Sequence, residues 1–161
     1  MIARWLAESW SKVATAAKDS LLAMTDAPPD AAQEHGGLFE ALGFELDEQG
    51  PEVARGHFEV TDQVRQPYGI VHGGAYAALA ESLTSIATYF AVAEDGMLSM
   101  GQSNETSFLR PVSQGVVRAE ARRRHRGRTT WVWQVDFTDD QGRLCALSRM
   151  TIAVRPAPSQ A

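Results

Sequence analysis

Hydrophobic and polar residues are arranged in two different ways along this chain, and each arrangement predicts a different secondary structure. From about residue 36 onward most segments alternate with a period of two, which is typical of β-strands with one buried face. The stretch from Gly73 to Ala93 differs, because nearly all of its side chains are apolar and most are strong helix formers. It predicts one long helix over 73–93 that is buried on most of its sides.

Strands are predicted on both sides of this helix. Before it, FEALGFELDEQG predicts a helical turn followed by a strand that ends at Gly50, and VARGHFEVT predicts a second strand. After it, four segments predict strands, with a hairpin turn at Asp140-Gln141-Gly142 before the last: MLSMGQSNETSFLRP, VVRAEARRRH, TTWVWQVDFTDD and RLCALSRMTIAV. This order predicts an α+β fold in which an antiparallel sheet packs around one helix.

The first 35 residues predict a separate segment. Apolar residues at spacings of three and four over 2–24 indicate an amphipathic helix, and Pro28 and Pro29 mark the linker that follows. The polar face of this helix is not strongly basic, so we expect it to pack on the main domain or on a partner subunit rather than on a membrane surface. The predicted division is 1–35 for helix and linker and 36–161 for the main domain.

Composition and charge narrow the classes of function. A net charge of −5 argues against nucleic-acid binding, and no apolar stretch is long enough to span a membrane without interruption. The single cysteine, Cys145, and an N-terminus without a signal-peptide core suit a reducing compartment, so we expect a cytoplasmic protein. The sequence contains no zinc-binding motif, and we expect neither a metal nor a redox cofactor.

A single carboxylate interrupts the predicted helix. Glu81 is the one formally charged residue between positions 66 and 93, and a buried carboxylate is costly unless it is paired, hydrogen-bonded or protonated. Two explanations of Glu81 remain open. In the first, it pairs with an arginine from elsewhere or faces a water-filled groove. In the second, it acts as a nucleophile or general base whose pKa is tuned by burial. Helical spacing predicts one polar stripe that Glu81 shares with three residues: Thr84, Ser85 and Thr88.

The turn QPYGIVHGG before the helix supplies hydrogen-bond donors. Glycines at a helix N-terminus expose N–H groups at the positive end of the dipole, where they can bind an oxyanion, and Gln66 offers an amide nearby. A tight turn and close packing also explain the paired glycines Gly73 and Gly74. His72 is expected to be a buried, hydrogen-bonded turn residue and not a catalytic base, because no Ser, Cys or Asp partner for a triad is evident.

These features together resemble one family. The motif QPYGIVHGGAY, with Glu81 eight residues after Gly73, resembles the hotdog-fold thioesterases, and in particular the 4-hydroxybenzoyl-CoA thioesterase branch with its catalytic glutamate on the central helix. The similarity continues through GQSNETSFLRPV, VRAEA, TTWVW and DDQGRLCALSRMTIAVRP, from about Phe44 to Pro156. The resemblance implies a sheet wrapped around a central helix, and hydrolysis of an aromatic acyl-CoA that needs no cofactor, since CoA is part of the substrate.

Three alternatives accompany this interpretation. The phenylacetyl-CoA type and broad-specificity thioesterases share the motif. A non-catalytic acyl-CoA-binding module is another possibility, which the presence of both Glu81 and Ser85 disfavours. Hotdog hydratases need an aspartate five residues before the histidine, and that position here is Pro67.

The resemblance also implies roles for individual residues. Glu81 would attack the thioester carbonyl or activate water, and the N–H of Gly73 would polarise the carbonyl with Gln66 close to it. Ser85 stands where the family has a threonine that orients water. The residues implied to contact the substrate and its CoA moiety are His72, Arg110, Arg128, Thr129 and Thr130. The acyl preference would depend on side chains such as Tyr76, Met100 and Ser103.

Helix geometry adds a separate expectation. Eight residues of helix separate Gly73 from Glu81 by about 12 Å, whereas a catalytic group must lie within about 3 Å of its target atom. One helix therefore cannot readily place both groups on the same carbonyl. We expect a homo-oligomer with sites shared between subunits, at least a dimer and, by resemblance, a tetramer.

Arginine is concentrated in one segment of the chain. Residues 110–128 contain seven arginines against one acid, Glu120, a balance of +6. Arginine suits bidentate recognition of phosphate, so this segment is a candidate docking surface for CoA, with a solvated strand face as the alternative. Trp131 and Trp133 share a strand face with apolar residues and predict core rather than a base-stacking surface.

Overall fold

The computed structural model describes residues 37–157. The predicted helix over 2–24, its linker and the last four residues lie outside this range, so the division of the chain at residue 35 stays a prediction. The described elements are α1 Leu38–Ala41, β1 Phe44–Gln49, β2 Val53–Glu59, α2 Gly73–Val92, a 3-10 turn Ala93–Asp95, β3 Met97–Phe108, β4 Val116–Arg126, β5 Thr130–Thr138 and β6 Leu144–Pro156.

The six strands form one antiparallel sheet around the long helix α2. The strand order is β1-β2-β4-β5-β6-β3, so β1 and β3 are the two edges of the sheet. The predicted α+β layout is confirmed, and so is the hairpin turn before β6, where Gly142 adopts a φ of 71° that favours glycine. The helix ends at Val92, one residue before the predicted end, because Gly96 turns the chain into β3 with a φ of 68°.

The core lies between α2 and the interior strands. Along β5 every second side chain is buried, with Trp133 at 0% exposure, which confirms that its tryptophans are core residues. Leu79 and Leu83 of α2 are also fully buried. The indole N–H of Trp133 donates to the Thr88 hydroxyl at 3.0 Å, so both of these buried polar groups have a hydrogen-bond partner.

The predicted single polar stripe of α2 is wrong. Thr84 and Thr88 are fully buried and face the sheet, and their hydroxyls donate to the carbonyls of Ala80 and Thr84, each at 2.7 Å. A threonine can bond to the carbonyl four residues earlier in its own helix, which allows it to lie in a core. Glu81 and Ser85 do not share this burial and lie on a different side of the helix.

Candidate active site

The turn before α2 is held by its own backbone. The N–H of Gln66 donates to Ile70, that of Gly69 donates to Gln66, and that of His72 donates to Val64, at 2.9, 2.8 and 2.7 Å. Gly69 has a φ of 77°, which a residue with a side chain rarely adopts. This turn fixes the point at which α2 begins.

His72 caps the first turn of α2. Its Nδ1 accepts a hydrogen bond from the N–H of Gly74 at 2.9 Å, so a neutral ring carries its proton on Nε2. The expectation of a hydrogen-bonded turn residue is confirmed, but the expected burial is wrong, since the side chain is exposed. A capping side chain lies outside the helix end, where the sheet does not cover it.

Gly73 presents a free amide beside an aromatic ring. No residue in the range 37–157 accepts a hydrogen bond from its N–H, which lies at the positive end of the helix. A Cβ at this position would meet Cζ of Phe108 at 2.6 Å, so the ring occupies the place of a side chain. The side-chain amide of Gln66 is half-buried and likewise has no partner among the described residues.

One row of α2 residues lies along edge strand β3. Residues four apart on a helix share a face, and Gly73, Ala77, Glu81 and Ser85 meet in turn the inner-face residues of β3. We call this contact the α2–β3 interface. Its contacts are the Phe108 ring on Gly73, Asn104 Nδ2 donating to the Ala77 carbonyl at 2.9 Å, Gly101 against the Glu81 carboxylate, and Ser99 Oγ donating to the Ser85 carbonyl at 2.8 Å.

Glu81 is exposed, which corrects the expected burial. Among the described residues the sheet ends at β3, so this side of α2 is only partly covered, and the carboxylate lies beside that edge strand. Ser85 Oγ donates to Glu81 Oε1 at 2.9 Å. Within residues 37–157 no arginine, lysine or histidine pairs with Glu81, so the interpretation of a structural ion pair with an arginine finds no partner there.

The residues implied to bind CoA do not converge within one chain. Arg110 follows β3, where its N–H donates to the carbonyl of Cys145, whereas the Thr129 carbonyl accepts from the N–H of Val154. Nine residues of β6 separate these points, which corresponds to about 30 Å of extended strand. Arg128, Thr129 and Thr130 stay together at the turn between β4 and β5, all at least partly exposed.

The arginine-rich segment is not one free basic surface. Three of its arginines pair with carboxylates: Arg118 with Asp140 at 2.9 Å, Arg122 with Glu120 at 2.5 Å, and Arg123 with Glu52 at 3.3 Å. The guanidinium of Arg55, and then that of Arg122, hold the pKa of Glu120 below its usual range. Arg123 and Arg126 also stack on Trp131, at 4.9 and 5.0 Å from the ring centroid.

Of the residues expected to set the acyl preference, Tyr76 belongs to the core. It is 3% exposed and packs edge-on against Phe137 at 5.3 Å, and burial raises the pKa of its hydroxyl well above the usual range. Met100 is 48% exposed and Ser103 is exposed, both on β3. Sequence reasoning missed Ser99, Asn104 and Phe108 as neighbours of the helix row, because pairing across the sheet is not visible in a single strand.

The described part of the chain offers neither a cluster of metal ligands nor a membrane-spanning helix. Between residues 37 and 157, no three His, Cys, Asp or Glu side chains converge as ligands for a metal ion. In the same range no helix has both the length and the apolar character needed to cross a bilayer. The expectation that no cofactor is needed stays a prediction.

Comparison with known proteins decides the family. The family model of the thioesterase superfamily matches residues 68–146, which include Gly73, Glu81 and Ser85. The proofreading thioesterase EntH of Cronobacter turicensis is 40% identical over 119 residues, which cover 74% of this chain and 86% of that protein. This chain belongs to the thioesterase superfamily.

Solved structures of thioesterases share the fold of this superfamily member. A mutant of thioesterase PA1618 from Pseudomonas aeruginosa has a TM-score of 0.72 at 32% identity, covering 83% of this chain and 99% of that one. Thioesterase HI1161 from Haemophilus influenzae has a TM-score of 0.73 at 29% identity, covering 85% and 96%. The expected hotdog fold is confirmed, and the protein is a thioester hydrolase.

Proposed function

We propose that this thioesterase hydrolyses an aromatic acyl-CoA, with 4-hydroxybenzoyl-CoA as the first substrate to test. The observation that carries the proposal is the α2–β3 interface, which holds a carboxylate without a cationic partner in the described range and an unbonded amide on one helix. The acid is oriented by Ser85 and the amide is backed by an aromatic ring. These are a nucleophile or base and an oxyanion donor, the two components that acyl transfer needs.

The reaction uses groups from two subunits. The thioester carbonyl oxygen accepts from the Gly73 N–H of one subunit while Glu81 of the other attacks the carbonyl carbon or removes a proton from an attacking water. The carbon–sulfur bond breaks, the sulfur leaves as thiolate and takes up a proton, and the products are the free acid and CoA. On the attack route, water then cleaves the resulting anhydride.

The free edge of β3 supports the shared site. It is twelve residues long and carries one formal charge, at Glu105, whereas natural proteins usually protect an exposed edge with charges. Antiparallel pairing of two β3 edges around a two-fold axis would bring the α2 of one subunit beside that of the next. Glu81 would then be covered by a second copy, and the expected burial would arise in the assembly.

The same assembly accounts for the separated CoA contacts. Arg110 and the turn that carries Arg128 and Thr129 lie at opposite ends of β6, so a single nucleotide would meet them from different subunits. Arg155 adds a cation at this turn, because its guanidinium donates to the Thr129 carbonyl at 2.7 Å and meets no carboxylate within residues 37–157. Arginines bonded to neutral carbonyls keep their charge available for phosphate.

A second candidate is hydrolysis of a broad range of acyl thioesters. It is favoured by the relative from Cronobacter turicensis, which is named a proofreading thioesterase and not an enzyme of one aromatic thioester. A panel of benzoyl-, 4-hydroxybenzoyl-, phenylacetyl- and long-chain acyl-CoAs, followed by thiol release, separates the two candidates. Aromatic thioesters should lead by kcat/KM, and equal turnover of long aliphatic thioesters would favour the broad enzyme.

The role of Glu81 is tested on the same panel with Glu81→Gln. The amide keeps the shape of the side chain but cannot act as nucleophile or base, so kcat should fall by about two to four orders of magnitude. Binding of CoA, measured by calorimetry, should persist. An unchanged rate would refute the mechanism.

Sharing of the site is tested by subunit mixing. Two single variants are prepared separately and then mixed: Glu81→Gln and Gly73→Ala. The methyl added in Gly73→Ala meets the Phe108 ring and displaces the amide. Hybrids contain one site with both functional groups intact, so mixing two inactive proteins should restore activity. No recovery after proven subunit exchange would contradict the two-subunit site.

A further inference from the structure

Gly101 lies where edge strand β3 touches the carboxylate of Glu81. A Cβ placed on Gly101 would lie 2.8 Å from Glu81 Oε1, 3.2 Å from Cγ and 3.4 Å from Cδ. The carboxylate therefore fills the space that a side chain at position 101 would take. Sequence reasoning assigned no role to this glycine.

The backbone conformation does not explain the glycine. The glycines with positive φ in the described range are Gly43, Gly69, Gly96, Gly115 and Gly142, and Gly101 is not among them. An alanine could adopt the same backbone without strain. What position 101 requires is space, and the group that uses the space is the Glu81 side chain.

A shift in strand register turns Gly101 toward α2. Gly101 pairs with Ile152 and Ser103 pairs with Thr151, so the ladder between β3 and β6 skips Gln102. Such bulges re-aim side chains at sheet edges. As a result Gly101 and Asn104, three positions apart, both lie opposite buried residues of β6 and face the helix.

The backbone of α2 is tied on both sides of Glu81. Asn104 donates to the carbonyl of Ala77, four residues before Glu81, and Ser99 donates to the carbonyl of Ser85, four residues after it. Ser85 also donates to the carboxylate itself. With the helix held against β3, the position of the carboxylate depends on the space left by the missing side chain of Gly101.

We propose that Gly101 is a positioning residue whose missing side chain forms the slot for the Glu81 carboxylate. This inference rests on the proposed catalytic role of Glu81. The atoms that an added methyl meets belong to the outer part of a long side chain and not to backbone. The methyl therefore costs the fold little but moves the carboxylate, and small misplacements of a reacting group reduce rates strongly.

The test is Gly101→Ala in the full-length protein, assayed on benzoyl-CoA. We expect kcat to fall by about 100-fold with KM, melting temperature and oligomeric mass close to those of the parent. Gly37→Ala is the matched control, because a Cβ at Gly37 meets nothing within 4 Å. That control should leave kcat unchanged.

Two further backgrounds separate positioning from a structural defect. In Glu81→Gln the added Gly101→Ala should cause no further loss, and in Glu81→Asp, whose shorter carboxylate leaves the slot, it should cost much less than in the parent. An equal loss in the parent and in Glu81→Asp, or a parent-like kcat for Gly101→Ala, overturns the role of Gly101. If Glu81→Gln itself keeps the parent rate, the proposed function fails, whatever Gly101→Ala does.

Discussion

Helix α2 meets its sheet along two interfaces of opposite character. Toward the interior strands β2 and β5 its side chains are buried, with Leu83 beside Gly56 and Thr88 bonded to Trp133. Toward β3 the contact is mostly polar and exposed, and it consists of hydrogen bonds, a glycine against a carboxylate, and the Phe108 ring on Gly73. We call the first the interior interface, in contrast to the α2–β3 interface.

The difference separates stability from chemistry. Burial of apolar area stabilises the fold in proportion to the area removed from water, which assigns this task to the interior interface. A reactive carboxylate needs access to substrate and freedom from a compensating cation, and among residues 37–157 Glu81 has both beside the edge strand. Changes at the two interfaces should therefore affect different measurements.

The largest effect is expected from charge on the edge of β3. Met100 is 48% exposed on this strand, and Met100→Lys would place like charges on both copies of a paired edge. We expect dissociation to monomers by sedimentation velocity, with activity falling by about 100-fold or more because the site is incomplete. Activity should return at high protein concentration.

Leu46→Lys is the matched control on the opposite edge. Leu46 is 38% exposed on β1, a six-residue strand that already carries Glu45, Asp47 and Glu48. Charges of this kind protect an edge from pairing, so the substitution should change neither mass nor rate. A dimer that survives Met100→Lys but not Leu46→Lys would show that the wrong edge has been assigned to assembly.

Thr88→Val is expected to reduce stability without a selective effect on catalysis. The substitution keeps the volume but leaves the buried indole N–H of Trp133 without an acceptor, a cost of about 1–3 kcal/mol in the free energy of unfolding. Denaturant unfolding measures this loss. Ser85→Ala, one turn away, should show the reverse: a lower kcat and little loss of stability. Equal behaviour of the two variants would contradict the division into two interfaces.

The smallest effect is expected at the start of α2. His72→Ala removes the acceptor for the Gly74 N–H and should cost about 1 kcal/mol of stability, with a lower kcat because the neighbouring Gly73 amide is less well fixed. His72→Asn retains a capping acceptor and should recover most of the stability. Thermal unfolding and steady-state kinetics on both variants check this. Equal stability of His72→Ala and the parent would show that the cap contributes nothing.

Much of the fold was readable in the sequence because burial has a period. The alternation through Trp131 and Trp133 identifies β5 and its inner face, and the apolar run after Gly73 identifies the central helix. The motif around Gly73 and Glu81 also indicated the thioesterase superfamily correctly, whereas the 4-hydroxybenzoyl-CoA branch stays a prediction. These features depend on neighbours along the chain, which the sequence contains in full.

The site depended on contacts that the sequence does not contain. Thr84 and Ser85 are adjacent and chemically alike, yet one is fully buried and the other borders the candidate site. Helical spacing gives the angle between them but not the direction in which the sheet ends. The same limit applies to Glu81, which was expected to be buried and is exposed in this chain.

The sequence by itself determined the elements, the inner faces of the strands and the residue types available for acyl transfer. Tertiary structure alone decided that β3 is an edge, that its register skips Gln102, and that Gly101 therefore leaves room for the Glu81 carboxylate. The physical reason is that periodicity is set by local backbone geometry, whereas edges, bulges and empty space are set by strands far apart in the chain.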